Sequence, residues 1–229
     1  MKNIAIITAR GGSKRIPRKN IKDFCGKPIL AYSIESALKS NLFEEVMVST
    51  EDEEIASIAI KYGARVPFMR SAKTSDDYAT TADVIKEVIL EYQKRNIIFE
   101  NLCCIYPTAP FITADKLVKC MQVFIDKEVD SLVPIVKFSY PPQRCFIINN
   151  EKKISYKWKE NINKRSQDLE PLYHDAGQFY FFKINKFLSN QYLISDNSYG
   201  YIVDEMEVQD IDNLDDWNIA EMKYKIMRD

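Results

Sequence analysis

Apolar and polar positions along this chain switch between two periods. Residues 3–9, NIAIITA, form a continuous apolar run rich in β-branched side chains that ends just before a pair of glycines, which predicts a strand buried on both faces. Helical spacing follows. PILAYSIESALKS sets Leu30, Ile34 and Leu38 four apart on one face behind Pro28, whose missing N–H costs little at a helix start. EEVMVST (44–50) predicts a second strand, DEEIASIAIKYG a helix with acids in its first turn and Gly63 as its stop, and ARVPFM a short extended piece. TTADVIKEVILEYQKRN aligns Val84, Val88 and Tyr92 on a helix, NLCCIYP is another buried strand, and ADKLVKCMQVFIDKE another amphipathic helix. This alternation predicts an α/β fold with a doubly wound, mostly parallel sheet.

Regularity breaks after DSLVPIVK (130–137). Residues 138–172 contain Pro141, Pro142 and Pro171, a β-like RCFII and a NNEKK turn, without helical periodicity. They read as an excursion from the core, two or three antiparallel strands carrying partner contacts. AGQFYFFKI returns as a strand, GYIVDEMEVQDID supplies one or two more, and LDDWNIAEMKYKIM closes as a helix with acids at its start. No repeat or low-complexity linker divides the chain, so one domain over 1–229 with an inserted segment at 138–172 is expected.

Composition narrows the function. The chain has 229 residues, 46% hydrophobic and 28% charged, enough for the core of one large α/β unit. Its five cysteines (Cys25, Cys103, Cys104, Cys120, Cys145) show no Cys-x-x-Cys spacing, and read as buried small hydrophobes in a reducing cytoplasm. No apolar stretch reaches the length of a membrane span or signal peptide. With 32 basic against 33 acidic residues there is no global basic field, so neither nucleic acid nor membrane is an expected partner.

Against that near-neutral background, ARGGSKRIPRKN (9–20) carries five basic side chains and no acid. Glycines straight after a buried strand let backbone N–H groups form an anion-binding concavity, with Arg10, Ser13, Lys14 and Lys19 as further donors. The turn is neither a Walker A motif nor G-x-G-x-x-G. A basic run is more often a solvated loop, yet this one begins at the carboxyl end of the first strand, where open parallel sheets bind ligands. A polyphosphate suits such a cluster of donors. A polyanion-binding module is the alternative of another class. Aromatic residues are not interleaved with the basic ones, as they are in single-strand binders.

ARGGSKRIPRKNI followed by GKPILAYSI closely resembles the signature of the acylneuraminate cytidylyltransferases, the CMP-sialic acid synthetase-like family. VSTEDEEIASIAIKYGA, FMRSAKTSDDYATTADVI, YPTAP, NKRSQDLEPLYHDAGQFYFF and VQDIDNLDDW follow in the family's order. YHDAGQFY and SDDYATT look most like the pseudaminic acid branch. Sialic acid activators usually show Asn-Gly-Ala where this chain has Asp175-Ala176-Gly177, and glutamine where it has Tyr106. The resemblance implies a Rossmann-like nucleotidyltransferase. The anomeric hydroxyl of a nine-carbon 2-keto sugar acid attacks the α-phosphorus of CTP in line, and pyrophosphate leaves. Pseudaminic acid is the implied acceptor, with sialic, legionaminic or 3-deoxy-octulosonic acid as alternatives.

The family pattern also implies roles. Arg10, Ser13, Lys14 and Lys19 contact the triphosphate, with Lys14 stabilising the transition state. Asn20 lies near the nucleotide, and the backbone at Gly11 and Gly12 completes the cradle. Arg70 and Thr81 (or Thr80) lie beside the cytosine; a surface arginine is the plainer alternative for Arg70. Tyr106, Arg165, Gln167, Asp175, Gln178 and Tyr180 face the sugar, Arg165 clamping its carboxylate, although Tyr106 and Tyr180 also suit a core. His174 is a possible sugar contact and no more. Asp210 and Asp212, two apart in VQDID, would project from one face of an extended strand toward one Mg²⁺, unless Asp212 or Asn213 caps the helix that follows. In relatives the 138–172 segment reaches across a two-fold interface, which implies a homodimer in which Arg165 serves the partner's site.

Overall fold

The structure, a computed structural model describing residues 2–228, places β1 (Asn3–Thr8) inside a seven-stranded sheet. It lies between β4 (Glu45–Ser49) and β5 (Asn101–Ile105) and runs parallel to both. Beyond β5 come β10 (Phe179–Lys183), β6 (Ser131–Lys137) and β11 (Ser198–Ile202), and β9 (Tyr173–Asp175) pairs with the far end of β6. β10 is antiparallel to both of its neighbours, whereas β11 is parallel to β6. Five strands therefore run one way and β9 and β10 the other. The reversal has a connectivity cause. No α-helix intervenes between β6 and β9, and parallel return normally needs such a crossover.

Helices cover both faces, as the alternation predicts. On one side Ala5, Ile7, Val46 and Val48 pack against α1 (Ile29–Lys39), α2 (Glu53–Lys61) and α4 (Ala114–Asp126). On the other Ile4, Ile6 and Met47 meet α3 (Thr81–Lys94) and α5 (Ile184–Asn190). The helix starts follow local chemistry. Asp52 caps α2 by accepting the Ile55 N–H at 3.0 Å, and Thr80 forms a capping box with Asp83 at α3. Gly63, at φ +93°, ends the α2 segment.

A third cluster bears directly on the site. α6 (Leu214–Ile226) lays Trp217, Ala220 and Tyr224 against Tyr32, Phe111 and Phe24, the last on β2 (Asp23–Phe24), which pairs antiparallel with β3 (Lys27–Pro28). Ile16 from the basic loop and Ile211 from the VQDID segment are buried in the same cluster, at 2% and 1% exposure. Two segments almost two hundred residues apart in sequence are thereby pinned side by side.

Several expectations need correction. VQDID is not a strand: after β11 and a 3₁₀ turn at Glu205–Glu207 the backbone has no ladder partner until α6 begins. ARVPFM contributes only an isolated bridge, Met47 to Arg65. Leu38 is exposed at the end of α1, and Cys25 and Cys145 are half-buried, unlike Cys103, Cys104 and Cys120. In the 138–172 segment β7 (Phe146–Ile148) and β8 (Ile154–Tyr156) form one antiparallel hairpin, leaving Phe146, Ile147, Ile148 and Ile154 exposed. Among the described residues no helix is long and apolar enough to cross a membrane.

Candidate active site

A cavity of about 330 Å³ opens at the carboxyl ends of β1 and β5, where the chain reversals of a doubly wound sheet leave room for a ligand. Thr8, Arg10, Ser13, Lys14, Arg15, Ile16, Lys19 and Asn20 line it from β1 and the basic loop, and Arg70, Thr74, Asp76, Asp77, Ala79, Thr81 and Val84 from the segment leading into α3 and that helix's first turn. Tyr106, Pro107, Thr108 and Asp212 complete it. Five cations face three carboxylates, an excess of positive charge in a chain whose net charge is −1. Such a concavity favours an anionic guest.

The basic loop is held from several sides. Asn20 Nδ2 donates to the Arg10 carbonyl at 2.8 Å, closing the loop on itself, and the Lys19 ammonium donates to the Ile211 carbonyl at 2.6 Å. Arg15 pairs with Asp212 at 2.8 Å. The basic turn and the aspartate segment therefore touch, side by side on one cavity. Burial pushes the Lys19 ammonium below the ordinary lysine value, against the raising influence of Asp212 and Asp210. Arg10 donates to Asp77 Oδ1 at 3.0 Å, and Lys14 pairs with the other oxygen of the same carboxylate. Arg18 leaves the cavity wall and forks onto Asp52 and Glu54.

The glycines divide. A methyl group at Gly11 would stand 2.6 Å from Asp52 Oδ2, whereas at Gly12 it would meet nothing within 4 Å. The Gly11 N–H is already taken by Glu51 Oε1 at 2.7 Å and the Ser13 N–H by the Gly11 carbonyl at 3.0 Å, and neither glycine lines the cavity, a correction to the expected backbone cradle. Arg70 is no surface residue: it is 7% exposed, donates to Ser49 Oγ at 3.0 Å and to the Ser49 carbonyl, and lines the cavity. Burial lowers its pKa, while nearby Glu51 and Glu87 act to raise it.

The expected sugar residues are only partly assembled. Tyr106 lines the cavity, its hydroxyl 3.5 Å from Thr81 Oγ1 and its ring edge-on to Tyr180 at 5.5 Å. Behind it Tyr180 donates to Asp175 Oδ2 at 2.5 Å, and burial raises both phenols. Gln178 is 2% exposed and donates to the Glu207 carbonyl, its Oε1 buried without a partner among the described residues. Arg165 and Gln167 do not line the cavity. They sit on the 138–172 excursion, where Arg165 forks onto Asp168 at 2.8 and 3.0 Å. His174 packs against Phe138 at 4.7 Å and does not line the cavity.

Asp212 lines the cavity and Asp210 is exposed two residues before it. Neither caps α6, since Asn213 does so, with Asp216 returning the second half of a capping box. Among the described residues no cluster of three or more metal-ligating side chains occurs. Of the expected pair only Asp212 lines the cavity, paired there with Arg15; a hard carboxylate beside an anion-favouring cavity fits Mg²⁺, which takes one or two protein carboxylates and completes its shell with water and phosphate oxygens. Thr8, Thr74, Asp76, Asp77 and Thr108 also line the cavity without having been expected there. Only the SDDYATT block carried a hint, and it pointed to the base rather than to two carboxylates facing the basic loop.

The Cytidylyltransferase family model matches residues 4–215. The chain belongs to this family. It is 43% identical over 226 residues to the pseudaminic acid cytidylyltransferase of Campylobacter jejuni subsp. jejuni serotype O:2, spanning 99% of this chain and 97% of that one. It is 30% identical to the CMP-N,N'-diacetyllegionaminic acid synthase of Legionella pneumophila, over 96% of this chain and 95% of the relative. Among solved structures, CMP:2-keto-3-deoxy-manno-octonic acid synthetase complexed with CTP superposes with a TM-score of 0.68 over 100% of this chain and 99% of that one. The 4-diphosphocytidyl-2C-methyl-D-erythritol synthase of Anaerococcus prevotii gives 0.62 over 98% of each. At 16% and 12% identity these two speak for the fold, the nucleotidyltransferase arrangement that the cytidylyltransferase sequence implies.

Proposed function

We propose that this cytidylyltransferase transfers CMP from CTP to the anomeric hydroxyl of a nonulosonic acid, pseudaminic acid being the acceptor its relatives favour. The observation that carries the reading is the juxtaposition of the basic loop with Asp212 on one cavity, Arg15 to Asp212 at 2.8 Å and Lys19 to the Ile211 carbonyl at 2.6 Å, in a chain of this family. The bond formed joins the anomeric oxygen to the α-phosphorus, the bond broken frees pyrophosphate, and the hydroxyl proton is released. The protein's part is placement and charge. Arg10, Lys14 and Lys19 hold the triphosphate, with Ser13 and Asn20 beside them, and Lys14 meets the charge that develops on the phosphate oxygens. Arg70 and Thr81 flank the cytosine, and Tyr106, backed by Tyr180, Asp175 and Gln178, faces the sugar.

Asp212 and Asp210 would hold Mg²⁺, which when bound neutralises phosphate charge. The excursion is proposed as a dimerisation segment through which Arg165 and Gln167 reach the partner's cavity, for they do not reach their own. The deciding experiment is pyrophosphate release from CTP with a panel of purified nonulosonic acids, with and without Mg²⁺. Release that is strongest with pseudaminic acid is expected. No release with any acid, together with salt-sensitive polyanion binding, would overturn the assignment.

A further inference from the structure

The basic turn is gripped from behind by two acids at the end of β4, and neither has a role in the reaction described above. Glu51 Oε1 accepts the Gly11 N–H at 2.7 Å, and Asp52 takes the Arg18 guanidinium on both oxygens, the Nη2–Oδ1 bond being 3.0 Å. Residues 11 and 18 are the two shoulders of the turn. Asp52 is itself fixed as the cap of α2 and lies hard against Gly11, so the bracket is anchored in the core rather than in the loop it holds.

Glu51 is the costlier member. Its second oxygen, Oε2, is buried and without a hydrogen-bond partner among the described residues. An unpaired carboxylate oxygen taken out of water is unfavourable, and fold stability alone gives no reason to retain it. Its charge lies close enough to Arg70, a buried cation of the cavity wall, to act on it.

We propose that Glu51 is a positioning residue for nucleotide binding. By occupying the Gly11 amide it fixes the turn that carries the Ser13 and Lys14 side chains onto the cavity. The inference rests on the cytidylyl-transfer reading for its substrate.

Three forms of the full-length protein test it: wild type, Glu51→Ala and Glu51→Gln, the last keeping an acceptor for Gly11. Glu51→Ala should raise KM for CTP about tenfold or more, the loss of one hydrogen bond to a charged acceptor, and leave KM for the sugar acid within about twofold. Glu51→Gln should stay within about threefold of wild type on both. Without any substrate, amide exchange at Gly11 should quicken in Glu51→Ala and not in Glu51→Gln. If the alanine variant does not fold, Glu51→Asp, one methylene short of Gly11, takes its place with the same expectation. The proposal fails if Glu51→Gln is as impaired as Glu51→Ala, if both substrates weaken equally, or if Gly11 exchange is unmoved. Wild-type protein that releases no pyrophosphate with any acid would instead overturn the reaction assignment, and the exchange comparison would still decide Glu51.

Discussion

Lys14 reaches from the basic loop to Asp77 and shares that carboxylate with Arg10, which donates at 3.0 Å. A lysine 78% exposed in such a pair contributes little to stability, so its removal reads out function. Lys14→Ala should lower turnover roughly 10²- to 10³-fold, as loss of a donor to a developing oxyanion does, with the melting temperature unchanged. Activity within a fewfold of wild type would reduce Lys14 to surface charge. Arg18 behaves oppositely. Its hydrogen bond holds the Asp52 carboxyl below the ordinary value of 3.8, with burial opposing. The folded state then binds fewer protons than the unfolded one as pH falls below 3.8, so the contribution is complete above that value and lost as pH drops through the lowered folded pKa. The gap in melting temperature between wild type and Arg18→Met should be present at neutral pH and narrow progressively as pH falls below 3.8. A gap that persists in acid would exclude the ion pair as its source.

At the scale of elements, the segment from Val208 to α6 depends on one cap. Asn213 Oδ1 accepts the N–H groups of Asp215 and Asp216 at 2.8 and 3.1 Å, and Asp216 Oδ2 accepts those of Asp212 and Asn213 at 2.9 and 3.0 Å. Asn213→Ala should cost about 1 kcal/mol, or roughly 2–4 °C in a chain of this size. It should also weaken the response of activity to Mg²⁺, because Asp212 hangs on the same network. A lowered melting point with an unchanged Mg²⁺ titration would separate the cap from the proposed metal site. What was legible in the sequence follows from range. β1, α3 and α4 announce themselves because buried strands and amphipathic helices write their period locally. The two-residue spacing of Asp210 and Asp212 imitated a strand, since spacing alone does not reveal the lack of a ladder partner. Seven-residue α5 is too short for its period to show. Strand direction in β10, Glu51 on Gly11 and Asp77 on Lys14 are contacts across 40 residues or more, and no local pattern encodes them.

Across the whole molecule, the cavity draws on segments from both ends of the chain, yet it leaves Arg165 and Gln167 outside. The same 138–172 excursion displays Phe146, Ile147, Ile148 and Ile154 at 49–66% exposure on a two-stranded hairpin. A lone hairpin with its apolar side chains in water is marginal. A second copy of the chain would cover it and bring Arg165 to a neighbouring cavity, whereas an unrelated partner would do only the first. Ile148→Glu places a charge beside Ile154, its cross-strand partner on that surface, far from the basic loop in sequence. Sedimentation should give twice the chain mass for wild type and the single chain mass for the variant. The variant's KM for the sugar acid should rise at least tenfold, the loss of a bidentate carboxylate clamp, while KM for CTP stays within about threefold because the nucleotide wall is intact. A wild-type monomer with full activity would refute the shared site. A dissociated variant with an unchanged acid KM would leave the dimer standing and remove Arg165 from it.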